Sequence, residues 1–214
     1  MASSSKHSLL NSLINSKNPL AKKLTPTLTK LSLIIIGSVL LAISAQYKVP
    51  LGPVPITLQS MVVMLIACIY GWKLGAATIL AYWVEGILVG GIFSFLPWFA
   101  NGSGLLYFLT SPSAGFLWGF LPMVVIIGYL NDQRCWRQNP VTLCLSLLIG
   151  QGALYTVGVG YAYFAIMPFV DWMNSSAELL AIFVTPFIIG DILKTAIAAV
   201  ITLYFIRKSN KFIS

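Results

Sequence analysis

Charge is what this 214-residue chain has least of. Asp, Glu, Lys and Arg together make 8% of it, against 58% hydrophobic residues and a mean hydropathy of +0.89. A water-soluble domain carries about 25% charged residues, so this composition excludes an ordinary globule and describes a polytopic membrane protein with one domain in lipid. Cysteine is nearly absent too. Cys68, Cys135 and Cys144 are odd in number and lack CxxC spacing, which argues against a disulfide or zinc framework and for small apolar fillers. The single histidine, His7, lies in the polar N-terminal stretch, so no histidine is available as a buried general base. No P-loop pattern occurs, which excludes ATP binding by that device. Acidic residues number only five against 13 basic ones, a net charge of +8. The basic residues flank hydrophobic runs rather than gather in a patch, so they indicate orientation and not nucleic-acid binding.

What is present is a series of apolar runs. Six can be drawn, at residues 31–46, 57–70, 74–92, 112–130, 141–166 and 179–206. A helical span needs about 20 residues, so the first two are short and must be tilted, extended or covered by protein. Only GWKLG separates the second from the third, which predicts a tight helical hairpin. Threading six spans puts eleven basic residues on one side: Lys6, Lys17, Lys22, Lys23, Lys30, Lys73, Arg134, Arg137, Arg207, Lys208 and Lys211. The other side has Lys48 alone, and Lys194 falls inside a span. The positive-inside rule then places both termini in the cytoplasm. The expected organisation is a basic cytoplasmic arm at 1–30, a six-helix membrane domain at 31–206 and a basic tail at 207–214. AISAQ at the end of the first run faintly resembles a signal-peptidase site, but the long polar stretch before it favours a retained first helix.

Two outer connections differ from solvated loops. YKVPLGPVPIT holds three prolines and almost no charge, and FSFLPWFANGSG is aromatic and glycine-rich. Proline fixes φ and removes N–H donors, so the first suits an extended lid folded back on the protein. Trp98 in the second fits either a cover or an interfacial anchor.

The most informative stretch is FIIGDILKT at 187–195, which sets Asp191 and Lys194 in the middle of an apolar run. In one continuous span they lie about 12 and 15 residues from its outer end, roughly 18–23 Å along the helix and near mid-membrane. The i, i+3 spacing puts both on one face. An ionised group there costs at least about 2.5–3.5 kcal/mol, so both must face the bundle interior or a wet cavity. Two readings stand: a structural ion pair locking helices, or a substrate site in which Asp191 accepts hydrogen bonds and Lys194 binds an anion. Gly190 beside them permits close approach. Glu85, midway through the third run, is a third intramembrane charge that could neutralise Lys194 from across the bundle or, with Asp191, form the carboxylate pair of an intramembrane enzyme. Gly86, Gly90 and Gly91 after it suit close helix packing.

These residues also carry a family resemblance. VPLGPVPITLQ at 49–59 resembles the signature of the BioY family, the biotin-binding S components of energy-coupling factor transporters. Tyr82 and Gly86, FANGSG at 99–104, SPSAGFLWGF at 111–120 and GDILK at 190–194 follow in the family's order, so the likeness spans about 45–200. The resemblance implies a non-enzymatic, multi-pass plasma-membrane protein that takes biotin from outside without a cofactor. It further implies a site of Asp191, Lys194, Asn101, Tyr82, Thr57 and Gln59 under the proline-rich loop. Asp191 would accept from ureido N–H groups, and Lys194 would pair with the carboxylate or brace Asp191. Thr57, Gln59 and Asn101 would add neutral hydrogen bonds, and Tyr82 would line the ring pocket. The implied partners are a membrane coupling subunit and two cytoplasmic ATPases. An S component for another small vitamin, and a scaffolding membrane protein, are the competing readings.

Overall fold

The structure, a computed structural model, describes residues 26–50, 52–92, 97–132, 134–170 and 175–211. Most of the expected basic arm, and His7 with it, lies outside them. The long helices are α1 (Pro26–Gln46), α2 (Gln59–Ile92), α4 (Ala114–Asn131), α6 (Pro140–Tyr161) and α8 (Ile188–Lys211). Short helices α3 (Leu105–Thr110), α5 (Arg134–Gln138) and α7 (Ser176–Phe183) join them. Among the described residues, five helical stretches are long and apolar enough to cross a membrane. At 1.5 Å per residue, α1, α4, α6 and α8 run about 27–36 Å, comparable to a hydrocarbon core of about 30 Å.

α2 contributes two passes rather than one. At Gly71 the backbone adopts φ 74° and ψ 174°, a region essentially reserved for glycine. The chain reverses there. The Gln59 amide bonds the Tyr82 hydroxyl at 2.7 Å, whereas 23 residues of straight helix would span about 35 Å. The hairpin expected at GWKLG is therefore present, and the six apolar runs become six helical passes. The first arm, 59–70, is only about 18 Å long, and its Val63, Met64, Ile66, Ala67 and Cys68 are buried against the rest of the bundle.

The bundle is inside-out by the standards of a soluble protein. Ile189, Phe164, Leu106 and Val141 are each more than 70% exposed, a surface that only lipid tails would leave undisturbed. The main interior cluster is built on Leu41, Val63, Met64, Ile79, Tyr82, Phe99, Met123, Ile127, Leu143 and Leu147, and a smaller one lies at the lid end around Phe183 and Phe187. α4 packs on α6 so closely that a Cβ on Gly119 would stand 3.2 Å from the Leu154 Cα and 3.0 Å from its carbonyl oxygen. Small residues permit such backbone approach.

The two ends of the bundle differ. One holds the Gly71 reversal, with Asp132 beside it, and carries Lys30, Lys73, Arg137, Arg207 and Lys208. The other holds the proline-rich loop, the 97–104 loop and the 162–187 region, with Lys48 the one lysine on those described loops. The proline-rich loop is a small antiparallel ladder, β1 (Lys48–Val49) with β2 (Ile56–Thr57), in register Lys48–Thr57 and Val49–Ile56.

Two boundaries differ from those read in the sequence. The last run is broken: α7 ends at Phe183, a 3₁₀ turn covers Thr185–Phe187, and α8 starts at Ile188. Pro186 within that turn has no N–H to continue the α-helical ladder. Asp191 therefore sits in the first turn of a helix rather than deep in one. Counted back from Arg207, it lies about 24 Å along α8, in the third of the bundle nearest the lid. Residues 207–211 of the expected tail continue α8.

Candidate functional site

A cavity of about 60 Å³ lies at the lid end and is partly open to the outside. Its walls are aromatic and aliphatic: Phe99, Tyr107, Phe116, Phe120, Leu154 and Phe187. Its polar groups are Thr57, Gln59, Ser60, Ser113, Tyr155, Asp191 and Lys194. Val54 and Pro55 of the proline-rich loop lie against it. Val54 is buried among Ala162, Leu179, Phe183 and Phe187, so the loop is seated on the bundle as a lid. Phe116 anchors the wall beneath, stacking on Phe183 and Phe187 and meeting Tyr155 edge-on.

The charged pair forms the polar end. Both residues are buried. Lys194 Nζ donates to Asp191 Oδ1 at 2.8 Å and to Ser60 Oγ at 3.2 Å. Gln151 Nε2 donates to Asp191 Oδ2 at 2.6 Å, and the Tyr155 hydroxyl donates to the same oxygen. Gln151 and Tyr155 are four residues apart on α6 and so share one face. The Thr195 hydroxyl donates to the Asp191 carbonyl at 2.7 Å. Two opposite charges in a medium of low dielectric, each further hydrogen-bonded, make a net-neutral but strongly polar surface.

Four of the six residues expected at the site line the cavity: Asp191, Lys194, Thr57 and Gln59. Tyr82 and Asn101 do not. Tyr82 is fully buried behind Gln59, where its hydroxyl accepts from Gln59 Nε2 and its ring meets Phe99 edge-on at 5.3 Å. Asn101 is exposed on the 97–104 loop, and its Oδ1 accepts from Lys48 Nζ at 2.8 Å. Lys48 also donates to the Ala100 carbonyl, and Gln46 Nε2 donates to the Pro97 carbonyl at 2.8 Å. These bonds tie the lid strand and the end of α1 to the second loop. Gly86 gives that loop its seat. A Cβ there would lie 2.2 Å from the Phe99 ring, and the Gly86 carbonyl accepts from Gly104 N at 2.9 Å.

Glu85 does not reach Lys194. Its Oε1 bonds Ser38 Oγ of α1 at 2.8 Å, and its Oε2 is buried without a partner. It therefore forms neither the suggested counter-ion nor an acid–base pair with Asp191. Gln151, Tyr155 and Ser60 join the site without having been expected there from the sequence, and Phe116 enters it from the SPSAGFLWGF stretch. The available signal was a glutamine inside an apolar run, with a tyrosine one helical turn later.

A six-pass helical bundle with a lidded, largely apolar cavity ending in a neutralised ion pair defines a membrane protein built to hold a small molecule. Residues 15–211 match the model of the BioY family, and the chain belongs to that family. It is 30% identical over 168 residues to the biotin transporter BioY of Thermotoga maritima, covering 78% of this chain and 90% of that protein. It is 34% identical over 160 residues to a probable biotin transporter BioY of Lysinibacillus sphaericus, covering 74% and 76%. The crystal structure of the S-component for biotin from an ECF-type ABC transporter superposes with a TM-score of 0.69 at 23% identity, over 86% of this chain and 95% of that one.

Proposed function

We propose that this chain is the biotin-binding membrane subunit of an uptake system and not an enzyme. The observation that carries the proposal is the lidded cavity closed at one end by Asp191 and Lys194, in a chain of the BioY family. Biotin joins a compact ureido ring, an apolar thioether ring and a flexible chain bearing a carboxylate. The inner end of the cavity offers an acceptor, Asp191, beside a donor, Lys194, which suits the adjacent N–H and C=O groups of a cyclic urea. Because Lys194 is already engaged by Asp191, its role here is to brace that carboxylate and bond the ureido oxygen, not to pair with the ligand's own carboxylate. Phe99, Tyr107, Phe116 and Phe187 would enclose the apolar ring. Tyr82 would act from behind by holding Gln59. Asn101 would act through the Lys48 tie at the mouth.

The lid end faces outward and the basic end faces the cytoplasm, with both termini on that side of the plasma membrane, as the distribution of lysine and arginine supports. Biotin enters past Val54 and Pro55. Release inward depends on a membrane coupling subunit and two cytoplasmic ATPases.

The test is calorimetric titration of the purified protein in detergent with biotin. Binding with one site per chain is the expected result. Absence of biotin binding, with binding of a different vitamin, would transfer the same cavity to that ligand. Binding of none would leave the ion pair as a helix lock.

A further inference from the structure

We infer that Gln151 and Tyr155 are positioning residues that decide which oxygen of Asp191 is left for the ligand. The inference rests on the reading of the cavity as a biotin site and concerns how that site discriminates. A carboxylate offers about four lone-pair directions, two on each oxygen. Oδ2 accepts from both Gln151 Nε2 and the Tyr155 hydroxyl, and is filled. Oδ1 accepts from Lys194 alone and keeps one direction open. Lys194 has three N–H groups; one goes to Asp191 and one to Ser60, leaving one. The polar end therefore presents one acceptor on Oδ1 next to one donor on Nζ. That pair fits a single edge of a urea, one N–H beside the C=O, and not both N–H groups at once.

A helix lock alone would not need this arrangement. Gln151 turns its amide toward Asp191 and leaves its own Oε1 buried without a partner. A residue serving only to join α6 to α8 would gain by satisfying both ends of the carboxamide. Gln151 is buried yet does not line the cavity, so whatever it does to a ligand passes through Asp191. Tyr155 does line it, and its single hydroxyl hydrogen is committed to Oδ2.

The two ureido nitrogens of biotin should then be unequal. Two mono-N-methyl biotins, one blocked at each nitrogen, supply the probe, with affinities read by titration in detergent. Wild type should bind one at least about tenfold more tightly than the other, the scale of one charge-assisted hydrogen bond. In Gln151→Met, Oδ2 regains an open direction and the ratio between the two analogues should fall several-fold. Tyr155→Phe should do the same and serves if the first variant fails to fold. An unchanged ratio in both single variants, with wild type binding biotin normally, overturns the inference and leaves the biotin reading intact. A wild type that binds no biotin overturns the biotin reading itself, which the ratio alone cannot do.

Discussion

Two carboxylates lie within the apolar passes of this protein, and their surroundings differ. Glu85 faces α1 and bonds one serine, and among the described residues it forms no ion pair and does not line the Asp191 cavity. Asp191 meets an ammonium, an amide and a phenol, and faces empty space. In sequence both are acids in hydrophobic runs, Glu85 without a nearby cation and Asp191 with Lys194 three residues on. The difference shows that cost alone does not mark a site. Convergence does: Asp191 gathers donors from α6 and from its own helix, and its partner Lys194 reaches Ser60 on α2, so three passes meet at one polar end.

The sharpest way to test that contrast is to remove each acid. Asp191→Ala strands Lys194 as a buried cation and leaves the donors of Gln151 and Tyr155 unmet. Breaking a buried pair costs about 3–5 kcal/mol, so the unfolding free energy in detergent should fall by that order and biotin binding should vanish in titration. The paired change Asp191→Leu with Lys194→Met removes both charges. Its stability should return to within about 2 kcal/mol of wild type while binding stays lost, which separates fold from site.

The Gly71 reversal should come next in size. Gly71→Ala forces a side chain into a glycine-only backbone region, and its Cβ would approach Asp132 Oδ1 at 3.0 Å. The loss should be about 1–3 kcal/mol, measured by denaturant unfolding, with the affinity of the folded fraction unchanged. Glu85→Gln should do less, because the amide can keep the contact with Ser38. A stability change within about 1 kcal/mol and an unaltered biotin affinity are expected; a large loss of affinity would erase the distinction between the two acids. Lys48→Met should do least, as exposed charged contacts contribute about 0–1 kcal/mol. Its expected mark is a biotin off-rate raised a few-fold at most, followed by stopped-flow or surface-based dissociation.

Much of this is legible in the sequence itself. The six passes follow from the lengths of the apolar runs, and the hairpin follows from GWKLG, whose Gly71 is the residue that turns. Asp191 and Lys194 stood out because charge in lipid is expensive. The break at Thr185–Phe187 was signalled by Pro186, but the run around it is so apolar that it reads as one helix. Gln151 and Tyr155 carry no formal charge, so their spacing in a hydrophobic stretch is a weak signal, and only the fold shows that they point at a carboxylate. Tyr82 and Asn101 show the opposite case. Each belongs to a stretch that borders the cavity, but burial turns one toward Gln59, and the other is held at the surface by Lys48.

The central claim is that Asp191 is where the ligand is held. Thermal unfolding of the purified protein in detergent, with and without biotin, in wild type and Asp191→Asn, tests it most directly, since a ligand that binds only the folded state raises apparent stability. A biotin-dependent rise in Tm in wild type that is absent in Asp191→Asn is the predicted result. An equal rise in both would contradict it and would place the ligand away from Asp191.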